Sequence, residues 1–307
     1  MKKIKDISGV VGNTPLIKIG NIYAKLETTN PTGSIKDRMV WHMINKAEKR
    51  GELKPGSKII EVTSGNTGIS FAMASAIKGY HFIAVMPESM SIERRKMIKA
   101  FGGEIVLTPA EEDMDGAVKK YKELVKKNKD AWLPKQFENR DNVECHRLGT
   151  GKEIIEQIGG KIDAFVAGTG TGGTLIGIGQ ALKAKYPKVK IFAIEPAESP
   201  VISGGKAGIH KIQGIGEGFI PDIVGKNRGL IDGIILIKSQ DAINMKKKLT
   251  EKYGVFTGIS SGANVLAAMK LSKKYKTVVT VLPDRGERYL SEDCLNDECQ
   301  ALCKKRK

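Results

Sequence analysis

The chain has 307 residues, 40% hydrophobic and 28% charged, which is enough for one or two domains with a buried core and excludes a mainly disordered chain. Its 51 basic and 34 acidic residues leave a net charge of +17, a balance that points first to nucleic acid or an anionic membrane. Against that, the runs Lys119-Lys120, Lys126-Lys127, Lys246-Lys247-Lys248 and Lys273-Lys274 are interrupted by apolar positions at helical spacing, as on solvated helix faces, and aromatics are only 6%, so neither a nucleic-acid nor a membrane partner is expected.

The start, Met1-Lys2-Lys3-Ile4, is charged but leads into no apolar core, so it does not read as a signal peptide. Asn30-Pro31-Thr32-Gly33 forms a turn running into a helix start at Ser34, which puts Lys36 in the first turn. A cation there opposes the helix dipole, which favours the neutral, nucleophilic amine. Residues 58–62 read as a strand, followed by Thr63-Ser64-Gly65-Asn66-Thr67-Gly68, a hydroxyl-rich turn able to hold an anion where a helix opens near Ile69. Strands over 81–86 and 104–107 alternate with helices over 92–101 and from about Met114, and buried strands follow over 164–167, 190–194 and 278–282. Such alternation gives parallel sheets covered by helices on both faces. Periodicity is weakest over 139–143, read as a crossing between domains, and over 199–233, read as a long functional loop.

Gly168-Thr169-Gly170-Thr171-Gly172-Gly173 satisfies G-x-G-x-x-G between a strand and a helix, and Glu195 ends the next strand 22 residues after Gly173. That is most of a dinucleotide fingerprint, so a nicotinamide-dependent oxidoreductase is one reading. The firmer inference is a phosphate at a helix N-terminus, belonging to a dinucleotide or to something smaller. Two anion sites and a lysine suit a cofactor with a phosphate and an aldehyde, acting on a carboxylate-bearing substrate. The four cysteines, Cys145, Cys294, Cys299 and Cys303, are not spread as a disulfide framework, which suits a reduced, cytoplasmic protein. The tail spacing fits no standard zinc site, and no metal is expected. None of His42, His81, His146 and His210 shows a partner pattern for catalysis.

Further motifs accompany these: Gly12-Asn13-Thr14-Pro15-Leu16, Met86-Pro87-Glu88-Ser89-Met90-Ser91-Ile92-Glu93-Arg94-Arg95, Lys211-Ile212-Gln213-Gly214-Ile215-Gly216, Gly258-Ile259-Ser260-Ser261-Gly262 and Gly286-Glu287-Arg288-Tyr289-Leu290. Together, in this order and over nearly the whole chain, they resemble the cysteine synthase (O-acetylserine sulfhydrylase) family of enzymes that use pyridoxal 5′-phosphate. The resemblance implies an α/β chain of fold type II, with two three-layer αβα domains and mostly parallel twisted sheets. A smaller, mobile substrate-side domain would span 41–145, and a larger phosphate-binding domain 1–40 plus 146–307. By position, Lys36 would form the Schiff base and move the substrate α-proton. Gly170, Thr171, Gly172, Gly173 and Thr174 would cradle the phosphate, Asn66 would bond the 3′-oxygen, and Ser260 would face the pyridine nitrogen. Thr63, Ser64, Thr67 and Gln136 would hold the substrate carboxylate, with Thr63 also fitting a helix cap. The implied chemistry is β-elimination and β-replacement on L-cysteine or O-activated L-serine through an α-aminoacrylate, with sulfide or water as the second reactant. Homodimerisation and a complex with serine acetyltransferase are further family expectations. A non-catalytic binding protein on the same fold is the other reading.

Three departures bear on the reaction. Gly149-Thr150-Gly151-Lys152-Glu153 stands where the family commonly has Thr-Thr-Gly-Pro-Glu. Gly214-Ile215-Gly216-Glu217-Gly218 replaces Gly-Ile-Gly-Ala-Gly, which adds a carboxylate near the site mouth and argues against the acetyltransferase complex. Pro283-Asp284-Arg285-Gly286 replaces Pro-Ser-Ser-Gly, a form also found in the thiosulfate-using branch. An acid such as Glu217, or Asp232 beyond the same loop, could deprotonate water and favour L-cysteine + water → L-serine + hydrogen sulfide. The plainer reading of both is a solvated loop charge.

Overall fold

The computed structural model describes residues 4, 6–63 and 65–293; Ser64 and the cysteines Cys294, Cys299 and Cys303 lie outside the described residues. In chain order the strands are β1 (Leu16–Ile19), β2 (Ile22–Leu26), β3 (Lys58–Val62), β4 (His81–Pro87), β5 (Glu104–Thr108), β6 (Ala164–Gly168), β7 (Lys190–Pro196), β8 (Gly233–Ile237) and β9 (Val278–Leu282). The helices are α1 (Lys36–Lys49), α2 (Asn66–Lys78), α3 (Ile92–Ala100), α4 (Asp113–Lys127), α5 (Arg140–Cys145), α6 (Gly151–Ile158), α7 (Gly173–Lys185), α8 (Asp222–Lys226), α9 (Ser239–Tyr253) and α10 (Ile259–Leu271).

Two sheets organise these elements. The larger has strand order β1-β2-β9-β6-β7-β8, parallel except for the β1–β2 hairpin, and the smaller is the parallel run β3-β4-β5. Strands of a parallel sheet are covered on both faces, which is why β9 is apolar apart from Thr280 and wholly buried. Thr280 satisfies its hydroxyl by donating to Val166 O at 2.7 Å. Around the smaller sheet the apolar core draws on residues from Met39 to Cys145, including Phe71, Phe82 and Trp132. The larger sheet packs one cluster under α9 and α10 and another under α6 and α7.

Several local expectations change. Over 139–143 the chain is helical: α5 runs through a π-helical turn, His146–Thr150, into α6. Asn139 caps α5 by accepting from Asp141 N at 2.9 Å, and the short, polar stretch shows too few apolar positions for a helical period to be read. Helix α2 opens at Asn66, three residues before Ile69, so Asn66 is its first residue. Lys246 is buried, with its ammonium 5.1 Å from the Tyr289 ring centroid, whereas Lys247 and Lys248 are exposed. A lysine stem packs well on an aromatic face, which a charge run alone does not reveal. Among the described residues no helix is long and apolar enough to cross a membrane.

Candidate active site

The C-terminal ends of β6 and β9 and the N-termini of α1, α2, α7 and α10 converge on one cleft. Parallel strands all end on this side, and the helices that follow them begin there, so their positive dipole ends gather at one place. Lys36, Asn66, Thr63, Thr67, Gln136, Gly170, Thr171, Gly172, Thr174, Ser260 and Glu217 all line it. Gly173 stands directly behind, opening α7 and donating its N–H to Thr171 Oγ1 at 3.3 Å. These residues come from segments far apart in the chain.

Lys36 is the first residue of α1. Desolvation pushes its pKa below the usual lysine range, against the opposing carboxylates of Glu217 and Asp284 and the thiol of Cys145. An amine that is easily deprotonated and sits in a cleft is a candidate nucleophile and base. The loop before α7 turns at Gly172, whose φ of +87° is strained for any residue with a Cβ, and this lets backbone N–H groups line a concave anion site. Thr174 Oγ1 lies 3.3 Å from His146 Nε2, and His146 Nδ1 lies 2.9 Å from Thr150 Oγ1. Burial and the nearby Arg38 and Lys36 charges hold His146 well below the usual histidine range, so a neutral imidazole supports the cradle.

On the other side of the cleft, Thr67 Oγ1 donates to Gln136 Oε1 at 2.7 Å and Gln136 Nε2 donates to Val62 O at 3.3 Å. Thr63 Oγ1 accepts from the N–H groups of Gly65 and Gly68 at 3.1 and 3.3 Å, so it caps the start of α2 as well as lining the cleft. Asn142 ties the two sides together, donating through Nδ2 to Gln136 O at 2.9 Å and to Thr171 Oγ1 at 3.0 Å. Asn142 and His146 were not singled out as site residues, because no local motif marks them; their bonds to Thr171 and Thr174 around the start of α7 come from packing of the chain.

The two acids separate. Glu217 is in the cleft, where desolvation raises its pKa against the influence of Lys36 and His210. Asp232 precedes β8 at the N-terminal edge of the sheet, away from the strand ends that form the cleft. There it pairs with Lys183 and Lys190, each at 2.9 Å, and accepts from Ile191 N at 3.0 Å. Its expected place in the site is therefore corrected: distance along the sheet, not along the chain, decides. Glu195 is likewise spoken for. Its buried carboxylate accepts from Ser203 N at 2.9 Å and Ser203 Oγ at 2.6 Å, so it cannot serve a ribose.

Comparison with known proteins agrees with this geometry. Residues 7–284 match the family model for a pyridoxal-phosphate dependent enzyme. Cysteine synthase of Staphylococcus aureus (strain N315) is 50% identical over 302 residues, covering 94% of this chain and 96% of that protein. The chain belongs to the cysteine synthase family of pyridoxal-phosphate dependent enzymes. Within that family, the crystal structure of the Entamoeba histolytica cysteine synthase superposes with a TM-score of 0.91 at 41% identity, covering 95% of this chain and 90% of that one. That of a hydrogen sulfide-producing enzyme from Fusobacterium nucleatum superposes with a TM-score of 0.89, also at 41% identity, covering 94% and 100%. The fold is thus the α/β type II expected, the cofactor is pyridoxal phosphate, and the chemistry is β-elimination and β-replacement. The nicotinamide oxidoreductase reading is not supported: the family matched over residues 7–284 is a pyridoxal-phosphate dependent one.

The residues present fit that cofactor. An anion cradle, a lysine with a depressed pKa and an asparagine whose buried Oδ1 has no partner share one cleft. Buried polar atoms are normally bonded, so such an atom marks a position where a ligand belongs. Ser260, the second residue of α10, adds a neutral hydroxyl.

Proposed function

We propose that this enzyme runs β-elimination on L-cysteine with water as the second reactant, giving L-serine and hydrogen sulfide. The observation that carries this reading is Glu217: a carboxylate in the same cleft as Lys36, with its proton affinity raised by burial. In this reading Lys36 bonds the cofactor, residues 170–174 take its phosphate, Asn66 its 3′-oxygen and Ser260 its ring nitrogen. Pyridoxal phosphate, when bound, supplies an electron sink for the substrate's α-carbon. A neutral serine at the ring nitrogen stabilises positive charge there less than a carboxylate would, which suits prompt loss of a β-substituent.

Thr67 and Gln136 hold the substrate carboxylate, with Thr63 beside them; Ser64 belongs to this group by sequence. Lys36 removes the α-proton, the Cβ–S bond breaks and the sulfur leaves as hydrogen sulfide. Glu217 then takes a proton from water as the water oxygen bonds to Cβ, which a carboxylate with raised pKa does better than an ordinary one, and Lys36 returns a proton to the α-carbon. The residues on the substrate's carboxylate all come from 41–145, and this part closes on the cleft when substrate enters. Support for sulfide release also comes from the likeness to a hydrogen sulfide-producing enzyme. A homodimer in the cytoplasm completes the reading, supported by exposed Ile7, Val10 and Leu148 and by the buried free thiol of Cys145.

The test compares sulfide released from L-cysteine with cysteine formed from O-acetylserine and sulfide by one preparation. Sulfide release with L-serine as co-product at a comparable rate is expected. Good turnover of O-acetylserine with no sulfide from L-cysteine would sink the proposal.

A further inference from the structure

The segment that ends β9 departs from the family pattern at Asp284, and the structure gives this residue unusual surroundings. Its backbone bridges Ser34, two residues before Lys36, and its carbonyl accepts from Gly258 N at 3.1 Å, two residues before Ser260. Ile35 N donates to Pro283 O at 2.8 Å. One short stretch therefore carries both the Lys36 and the Ser260 segments. The side chain is 2% exposed and lines the cleft. Its Oδ2 accepts from Asn66 Nδ2 at 2.6 Å, reaching across from the larger sheet to the first residue of α2, and from the Tyr289 hydroxyl at 2.7 Å. Its Oδ1 is buried with no partner, as is Asn66 Oδ1.

These contacts decide how Asn66 is oriented. An amide nitrogen has two hydrogens. One is taken by Asp284, which fixes the side-chain plane and leaves the other N–H for a ligand oxygen. The carboxylate also supplies charge. Lys36 is faced by two anions, Glu217 from the loop after β7 and Asp284 from the end of β9, and by Cys145 of α5, whose thiol burial keeps protonated. Asp284 is faced in turn by Tyr289, whose ring lies 5.0 Å from the Arg94 guanidinium of α3 and 5.1 Å from the Lys246 ammonium of α9. Arg288 beside Tyr289 donates to Thr32 O and acts on Asp37, the residue after Lys36.

We propose that Asp284 is a positioning residue for the pyridoxal site: it sets the Asn66 amide toward the cofactor's 3′-oxygen, and its negative charge holds a proton on the Lys36 nitrogen. A serine at this position, the common family residue, can accept a hydrogen bond but carries no charge. The proposal rests on Lys36 being the residue that bonds the cofactor.

The experiment titrates the long-wavelength visible band of holoenzyme from neutral to alkaline pH, in wild type, Asp284→Asn and Asp284→Ser, with Lys36→Ala as control. Both Asp284 variants are expected to lose the band at a pH lower by about one unit, a tenfold weaker hold on the proton. Dialysis against buffer should strip pyridoxal phosphate several-fold faster from Asp284→Ser than from wild type. A midpoint unchanged in both variants, even with a lowered melting temperature, overturns the proposal and leaves Asp284 a structural residue. No band in wild type, or a band retained by Lys36→Ala, overturns the reading of Lys36 itself and the proposal with it. Asp284→Ser, which restores the common family residue, keeps the test decisive where Asp284→Asn fails to fold.

Discussion

A lysine at the first position of a helix is poorly placed as a structural residue, because its cation opposes the dipole and burial penalises its charge. At Lys36 these costs have a chemical use: the amine gives up its proton easily while two carboxylates keep it from being neutral too soon. Glu217 has the complementary problem: desolvation raises the affinity of its carboxylate for a proton, against the pull of Lys36 and His210. To act as a base it must first lose that proton, so sulfide release from L-cysteine should rise with pH over a range above that of an ordinary carboxylate. Glu217→Gln should remove this limb and slow sulfide release by about 100-fold, while cysteine formation from O-acetylserine changes much less. Asp232→Asn should leave both rates as they are, since its ion pairs lie on the far edge of the sheet; sulfide and cysteine assays on the two variants check this. The helix start at Lys36 and the glycine turn before α7 were legible in the sequence, because glycine turns and helix starts are local signals, while the roles of these residues come from the family resemblance. Asn142, His146 and the pairing of Asp284 with Asn66 were not, because their meaning depends on packing between segments, 218 positions apart for Asp284 and Asn66.

At the scale of elements, two buried polar arrangements hold the parts that carry the site. Glu61 of β3 is buried, and the backbone N–H groups of Lys135 and Gln136 face its carboxyl. Desolvation, with Glu138 nearby, pushes its pKa up to about 8. Between the ordinary carboxylate range and that value the native chain keeps a proton that the unfolded chain has released. Stability therefore falls as pH rises through this window, by at most about 1.4 kcal/mol per unit. Glu61→Gln is neutral throughout, so its stability relative to wild type should increase from about pH 5 to about pH 8 in urea denaturation; a constant difference would contradict this. The second arrangement joins β2, α1 and α6. Glu153 binds Lys25 at 2.7 Å and Arg38 at 2.6 Å, and Arg38 also binds Glu27 at 2.7 Å. Desolvation of Glu153 is outweighed by Arg38 and Lys25, which hold its pKa at about 2. Removing one partner of a buried pair strands the others. Glu153→Ala should lower the unfolding free energy by about 3–5 kcal/mol, read from the denaturant midpoint.

At the scale of the molecule, the alternation of strands and helices was readable because the parallel strands are short, mostly apolar runs rich in β-branched residues. The split into two sheets was not readable from periodicity, since β3 to β5 look like any other βα units; strand order is set by packing. The cleft follows from that order, with the ends of one sheet facing helix starts of the other. Beside the charge of +17, the groups gathered at the cleft suit small anions: a phosphate and a carboxylate. The account stands or falls on Lys36 being the reaction centre. Borohydride reduction of the holoenzyme followed by peptide mapping measures this directly. The cofactor should be found fixed to Lys36 alone; a label on any other lysine, or none, would contradict the site described.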